Sequence, residues 1–517
     1  MISRPPLPVP ASLALAVAAG LLIGAGQAPM GIWPATLVGV ALFSWLMAGQ
    51  RPRAVFGVGY VAGLAMNTLT VSWISVLGVG VGVALVAFLS LWWGVLGLVV
   101  SRLLRLPAWP LLVPAAWVAM EYLSGRIPFG GFSWARLGYT TVDQPMSGLF
   151  AWVGVAGVSY LVAGVAQLLL LAAVSRTHRI AAAAGAMAVF AIGAIAHLSP
   201  HEQPTDSVTI AMVQPGVNRA EKGTGSYARS VTNNALSETV FALATARTDG
   251  EQPDFVLWPE NATDVDPMAD ATTRGLVELS TRLAGVPVFV GAVTDGPVPD
   301  SRQTSSIWWD PEDGPGDIYH KRDLVPFGEW IPFRDVLLPR LPILEQIGRQ
   351  SIPGEGPGVV DAPTRTFPEL AVGTIICFEL AYDDTSYDVV RGGAQVVVSQ
   401  SNTNTYAGTF EPHQQLVINR VRAMELGREV AASTLNSLSA VIDTRGRVEA
   451  VTTEYNAGSL ITTLPLRSNV NLAVTLNPWL AWAACAATLV GLVVASGRRD
   501  SAPGSMAMTE THQREVP

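Results

Sequence analysis

Residues 371–379 read Ala-Val-Gly-Thr-Ile-Ile-Cys-Phe-Glu: a mostly apolar run, then a thiol, an aromatic ring and a carboxylate. The run has the length and composition of a buried strand, and open α/β sheets collect their functional groups at the carboxyl ends of strands. Two upstream segments have the same form. Phe255-Val-Leu-Trp-Pro-Glu260 ends in a carboxylate and Asp317-Ile-Tyr-His-Lys321 in an amine. The trio suits acyl transfer. Cys377 is the candidate nucleophile and Glu260 its base; Lys321, with the amide of Phe378, is placed to stabilise a tetrahedral oxyanion. A helix start at Phe378-Glu379-Leu380 is expected to give the thiol thiolate character. Taken singly, Cys377 reads as a small core residue, Glu260 as a cap or solvated acid and Lys321 as an exposed charge. Their joint occurrence favours chemistry.

Outward from this run, residues 200–470 alternate strand-like and helix-like segments, which predicts an α/β layered domain. Strands are expected at Ser207–Gln214, 255–258, 288–293, Ala371–Ile376 and 394–399, and helices over 227–247 and 411–430. The polar stretch after Arg499 reads as a disordered tail.

Before residue 200 the chain changes character. Of 40 acidic residues only Glu121 and Asp143 fall there. Apolar runs near 9–28, 32–49, 54–72, 78–100, 108–123, 150–174 and 180–197, with another near 472–496, predict about eight transmembrane helices. The first reads as a retained helix, because six more follow at once. Arginines 4, 51, 53, 102, 105, 176, 179, 498 and 499 fall on one side of such a bundle, and only Arg126 and Arg136 on the other. The positive-inside asymmetry therefore places both termini in the cytoplasm and residues 200–470 outside it. The expected organisation is a seven-helix bundle over 1–199, an extracytoplasmic catalytic domain over 200–470, a final span over 471–497 and a cytoplasmic tail over 498–517.

The formal net charge of −8 argues against nucleic acid as a partner. Lysine is scarce, only Lys222 and Lys321, so an amine in the trio stands out against its background. The second of the two cysteines, Cys485, lies in an apolar run and reads as inert. The six histidines are scattered without metal-ligand spacing, and no phosphate loop or nucleophile elbow is present. No metal and no cofactor is expected.

The Cys-aromatic-Glu, Trp-Pro-Glu and Tyr-x-Lys patterns resemble the nitrilase superfamily. Residues 319–332 (YHKRDLVPFGEWIP), 121–139 (EYLSGRIPFGGFSWARLGY) and 422–428 (RAMELGR) are similar to the apolipoprotein N-acyltransferases. That resemblance implies a membrane bundle carrying a nitrilase-like αββα sandwich domain at the face of a bacterial cytoplasmic membrane. It implies catalytic Glu260, Lys321 and Cys377, with supporting roles for Glu329, Phe378 and Glu379. The implied reaction is ping-pong: an acyl chain passes from a membrane phospholipid to Cys377 as a thioester. It then passes to the α-amino group of the N-terminal diacylglyceryl-cysteine of an apolipoprotein. The segment 401–406 (SNTNTY) departs from the family by lacking an Asp and a Trp. Asn402 and Tyr406 are therefore read as lining the substrate cleft.

Residues 326–344 (PFGEWIPFRDVLLPRLPIL) are apolar and proline-rich. They are expected to form an interfacial arm with Phe327, Trp330 and Phe333 at the headgroup level, the alternative being core packing. Two rival functions use the same chain. One is a membrane-anchored amidase acting on a small amide; the other is a non-enzymatic scaffold for a membrane glycosyltransferase, a partnership that is also compatible with catalysis. The eight apolar runs count against the first and the retained trio against the second.

Overall fold

A helix that is apolar on every side is stable only inside a core or in lipid. Before the first strand, the computed structural model has α1 (Val9–Gly24), α2 (Trp33–Met47), α3 (Pro52–Val71), α4 (Val79–Leu103), α5 (Trp109–Ser124), α6 (Phe150–Val174) and α7 (Arg179–His197). It describes residues 7–199, 204, 206–217 and 229–497. A further apolar helix, Leu472–Gly497 (α13 below), follows the last strand.

Among the described residues five stretches are long and apolar enough to cross a membrane: Pro52–Leu77, Val79–Leu103, Pro145–Val174, Arg179–His197 and Leu472–Gly497. The expectation of about eight is corrected to five. α1, α2 and α5 have 16, 15 and 16 residues. At ~1.5 Å per residue they reach ~22–24 Å, short of a ~30 Å hydrocarbon core. The causes are local. The apolar run 9–28 leaves the helix for a turn after Gly24, and the second run stops before Gly49 at φ +70°. The long helices carry the exposed apolar side chains of a lipid-facing surface, such as Ile180, Met187 and Ile195 on α7 and Trp479 and Leu489 on α13. Arg4, Arg498, Arg499 and the tail 498–517 lie outside the described residues.

Between α7 and α13 lie the strands β1 (Ser207–Gln214), β2 (Phe255–Leu257), β3 (Val288–Asp295), β4 (Ser301–Asp310), β5 (Gly314–His320), β6 (Gln350–Ser351) and β7 (Val359–Asp361). They continue as β8 (Ala371–Ile376), β9 (Val396–Ser401), β10 (Val430–Thr434), β11 (Ala440–Ile442), β12 (Val448–Val451) and β13 (Gly458–Pro465). The helices there are α8 (Ser230–Asp249), α9 (Ala271–Ala284), α10 (Arg334–Leu337), α11 (Asp383–Arg391) and α12 (Glu411–Leu426). The expected helix 411–430 stops at Leu426 because Gly427 turns left-handed at φ +63°. The expected helix 227–247 begins at Ser230, residues 227 and 228 lying outside those described, and the strand expected at 394–399 is shifted to Val396–Ser401.

One sheet has the order β13-β1-β2-β3-β4-β5, with β6 beside β4; the other runs β12-β11-β10-β9-β8-β7. Each has three parallel central strands, β1-β2-β3 and β8-β9-β10, flanked by antiparallel ones. The inner faces meet in a core that includes Ile210, Phe255, Phe289 and Trp308 from one sheet and Val372, Val398 and Ala431 from the other. Helices α8 and α9 cover the outer face of the first sheet. The outer face of the second is covered by α11 and α12, whose apolar side chains share one continuous core with the membrane helices. This is the αββα sandwich, with one helical layer doubling as the floor that meets the bundle.

Polar contacts tie the two parts together. α6 breaks at Gly154 (φ +62°), and the freed amides of Val155 and Ala156 donate to Glu425 Oε1 (2.5 Å) and Asn477 Oδ1 (2.8 Å). The buried Asp383 carboxylate accepts from Arg136 (2.8 Å), Arg422 (2.9 Å) and Asn477 (2.9 Å). Gln414 accepts from Trp73 (3.0 Å) and Trp134 (2.8 Å) and donates to the carbonyls of Ala28 (3.1 Å) and Thr70 (2.9 Å).

Candidate active site

Cys377 leaves β8 at φ +52°. The left-handed region costs a side-chain-bearing residue roughly 1–2 kcal/mol, and such outliers cluster where function demands them. The turn that follows, Cys377–Ala381, is a five-residue 3₁₀ turn, and α11 begins only at Asp383. So short a turn has little dipole to lend a thiolate. Burial, and then Glu260, push the thiol well above its ordinary value. The expected thiolate character is corrected: resting Cys377 is a thiol that needs a base.

Glu260 follows β2 through Trp258-Pro259. Its backbone lies against β3 at Gly291, where a Cβ would sit 2.1 Å from the Pro259 carbonyl oxygen. Glu260 is 4% exposed. Its Oε1 accepts from Lys321 Nζ (3.2 Å) and its Oε2 from the Asn402 amide (2.7 Å). Burial raises this carboxyl, Lys321 opposes and Glu329 adds, leaving it above the usual Glu range. A carboxyl raised in this way is a stronger base than a free Glu and is suited to take a thiol proton.

Lys321 ends β5. Its amide donates to the Thr304 carbonyl and its own carbonyl accepts from the Gly354 amide, each at 2.8 Å. Gly354 cannot carry a side chain, because a Cβ would lie 2.2 Å from the His320 carbonyl oxygen. The ammonium is 2% exposed and donates to Glu329 Oε1 (3.0 Å) as well as to Glu260. Burial alone would lower Lys321, but Glu260 and Glu329 outweigh it and hold the amine charged. Glu329 is itself fixed by the Val325 amide (2.7 Å).

The remaining expected residues have distinct surroundings. Glu379 is fully buried, and burial pushes it up to about 7. It accepts from the Ile376 amide (2.8 Å), the Arg322 amide (2.6 Å) and the Tyr319 hydroxyl (2.8 Å), so it braces the cysteine turn against the lysine loop. Phe378 stacks on Trp134, centroids 5.6 Å apart and planes 16° apart. Asn402 meets Glu260 through its backbone. Tyr406 turns to Trp73, centroids 5.0 Å apart. Phe327, Trp330 and Phe333 gather round Phe129 at 5.6–6.3 Å, and Phe333 is 70% exposed, so this segment lies on the surface and not in the core.

Several residues at the site carried no expectation. Gln415 Nε2 lies 4.0 Å from Cys377 Sγ and donates to Ser401 Oγ (2.9 Å). Gln414, Trp134 and Glu411 are likewise buried beside it. Glu411, Gln415, Asn419 and Arg422 recur at helical spacing, a signal visible in the sequence but identical to that of a solvated helix face.

The arrangement holds a half-buried thiol, a carboxylate above its usual range and a fixed ammonium, the parts needed for acyl transfer through a covalent intermediate.

Residues 19–168 match the family model described as the apolipoprotein N-acyltransferase N-terminal domain, and residues 225–470 match that for carbon-nitrogen hydrolases. Among curated relatives, the apolipoprotein N-acyltransferase of Mycolicibacterium smegmatis is 29% identical over 495 residues, covering 90% of this chain and 82% of that protein. Its namesake in Methylococcus capsulatus is 27% identical over 513 residues, covering 95% and 97%. Among solved structures, Saccharomyces cerevisiae Nit3, a nitrilase-superfamily member, aligns at 14% identity and TM-score 0.37, covering 60% of this chain and 100% of that one. A mutant of the amidase from Nesterenkonia sp. AN1 aligns at 15% identity and TM-score 0.35, covering 52% and 95%.

Proposed function

We propose that this chain, which belongs to the apolipoprotein N-acyltransferase family, transfers an acyl chain from a membrane phospholipid to the N-terminal diacylglyceryl-cysteine of a lipoprotein by way of Cys377. The observation that carries the mechanism is the buried Glu260–Lys321–Glu329 cluster beside a thiol held in a strained turn.

In the first step Glu260 takes the proton of Cys377, and the thiolate attacks the acyl ester carbonyl. The Lys321 ammonium and the Phe378 amide stabilise the oxyanion. The C–O bond breaks, Glu260 returns its proton to the departing alkoxide, and a lysophospholipid leaves a thioester behind. In the second step a neutral amine attacks that thioester. The C–N bond forms, the C–S bond breaks and Cys377 recovers a proton. Water must be kept away, since hydrolysis competes for the same intermediate.

Both substrates carry lipid chains, which accounts for a soluble fold fused to an apolar bundle. The domain limits 1–199, 200–470, 471–497 and 498–517 belong to this reading, as does an extracytoplasmic catalytic domain; with four long spans before residue 200, both termini lie inside only if one of the shorter helices α1, α2 or α5 also crosses. The segment 326–344 serves as the arm that meets the lipid. A membrane glycosyltransferase partner rests on no contact in the fold and forms no part of the reading.

The test is to incubate purified protein with phospholipid carrying a labelled acyl chain, trap it under non-reducing conditions and analyse Cys377 by mass spectrometry. A hydroxylamine-sensitive adduct, absent from Cys377→Ala, is expected. Absence of an adduct with lipid demonstrably bound would favour a scaffold, and rapid hydrolysis of small amides without lipid would favour an amidase.

A further inference from the structure

Glu411 opens α12 and is 3% exposed, yet its Oε2 has no hydrogen-bond partner among the described residues. A buried carboxyl oxygen without a partner is costly and calls for an explanation. It stands one helical turn before Gln415, whose Nε2 reaches Cys377 Sγ, and side chains four apart share a helix face. Charged and titratable groups face it from every neighbouring element: Glu260 after β2, Cys377 after β8, Tyr406 before α12 and Glu454 after β12.

Among the described residues acidic groups outnumber cations around the thiol: Glu260, Glu329 and Glu411 bring three carboxyl groups. The single lysine in the cluster, Lys321, is already engaged by Glu260 and Glu329. Among the described residues no cation pairs with Glu411. The donor ester has no cation at its reacting end, whereas the acceptor amine arrives as an ammonium and must lose a proton before it can attack.

We propose that Glu411 binds the α-ammonium of the acyl acceptor and takes its first proton, before Glu260 relays the second. This rests on the two-step reading above. The acceptor's R–NH₃⁺ gives one proton to Glu411 and becomes R–NH₂. The amine forms the C–N bond as the C–S bond breaks, and its second proton passes through Glu260 to the Cys377 sulfur. Burial, then Glu260 and Glu454, push Glu411 up to about 8, close to an α-amine's usual ~7.7–8.0.

The experiment separates the steps in full-length Glu411→Gln. Mixed micelles of phosphatidylethanolamine and phosphatidylglycerol with labelled acyl chains charge Cys377. Discharge is then followed to a synthetic diacylglyceryl-cysteine lipopeptide with a free α-amine, or to hydroxylamine, a nucleophile already neutral at pH 7. The expected result is a loss of lipopeptide transfer at least about ten-fold larger than any loss in charging or in discharge to hydroxylamine. The deficit should narrow as pH rises past about 8, where the amine deprotonates unaided. Equal losses with both nucleophiles, or lipopeptide transfer like wild type at every pH, overturn the role of Glu411 alone. No label on Cys377 in the wild type overturns the two-step reading and this inference with it.

Discussion

The ring of Phe378, the residue after the candidate nucleophile, lies nearly parallel to Trp134 from the loop after α5, with centroids 5.6 Å apart. The cysteine turn thus rests on a side chain supplied by the membrane half, and Trp134 is pinned in turn by Gln414.

Trp134→Ala removes the stack and leaves Gln414 short of a donor. Aromatic pairs add about 0.5–1.5 kcal/mol beyond burial and a buried hydrogen bond about 1 kcal/mol. A fall of a few degrees in Tm in detergent is expected, with a larger proportional loss in Cys377 charging because the turn loses its support. Charging at the wild-type rate would show that the domain positions Cys377 without help.

Alkylation of Cys377 by iodoacetamide follows the thiolate. Burial and Glu260 hold the thiol above its ordinary value, so the alkylation midpoint should lie above the usual ~8.5. Glu260→Gln removes a nearby negative charge and should lower that midpoint while slowing acyl charging about 10²–10⁴-fold. A midpoint below 8.5 in the wild type contradicts the resting thiol.

Lys321→Met deletes the cation facing the oxyanion and should slow charging about 10²–10³-fold. Glu329→Gln leaves Lys321 with Glu260 as its remaining carboxylate partner; the expected loss is smaller, about ten-fold, read in the same single-turnover assay. Equal losses would mean that Glu329 has a direct role of its own.

Asp383 is buried between Arg136 and Arg422. Burial alone would raise its carboxyl, but the two arginines outweigh it and hold it well below the usual range. A depressed carboxyl contributes stability that is complete above its unfolded value of ~3.9 and is lost as pH falls below it. Asp383→Asn should therefore cost about 3–5 kcal/mol at neutral pH. The gap to wild type should close only below about pH 4. A constant gap down to pH 3 would show that the loss is one of packing and not of charge.

Phe333 and Val336, 70% and 53% exposed, stand on the segment 326–344. Replacing both by Ser leaves the core intact, so thermal unfolding should be nearly unchanged while phospholipid turnover falls several-fold. Unchanged turnover would remove the lipid-contact role given to this arm.

Local chemistry was legible in the sequence wherever one strand carried it. The run 371–377 announced a buried strand ending in a thiol, and the apolar runs announced helices with no wet face. Helix length was less legible, because an apolar run continues through a turn without changing composition. α1 ends at Gly24 although the apolar run continues to residue 28. Thiolate character was misread because Phe378-Glu379-Leu380 suits a 3₁₀ turn as well as an α-helix.

By itself, then, the sequence determined which side chains stand at the ends of which strands, since alternation and apolar content are properties of single segments. Which of them meet was decided only by the tertiary structure. Lys321 joins Glu260 and Glu329 because β5 and β2 lie in one sheet, and Gln415 reaches Cys377 because α12 packs over the other. The polar stripe Glu411–Gln415–Asn419–Arg422 has the period of a solvated face. It is buried because the membrane bundle lies where water would otherwise be, and no pattern along one helix can report what another part of the chain packs against it.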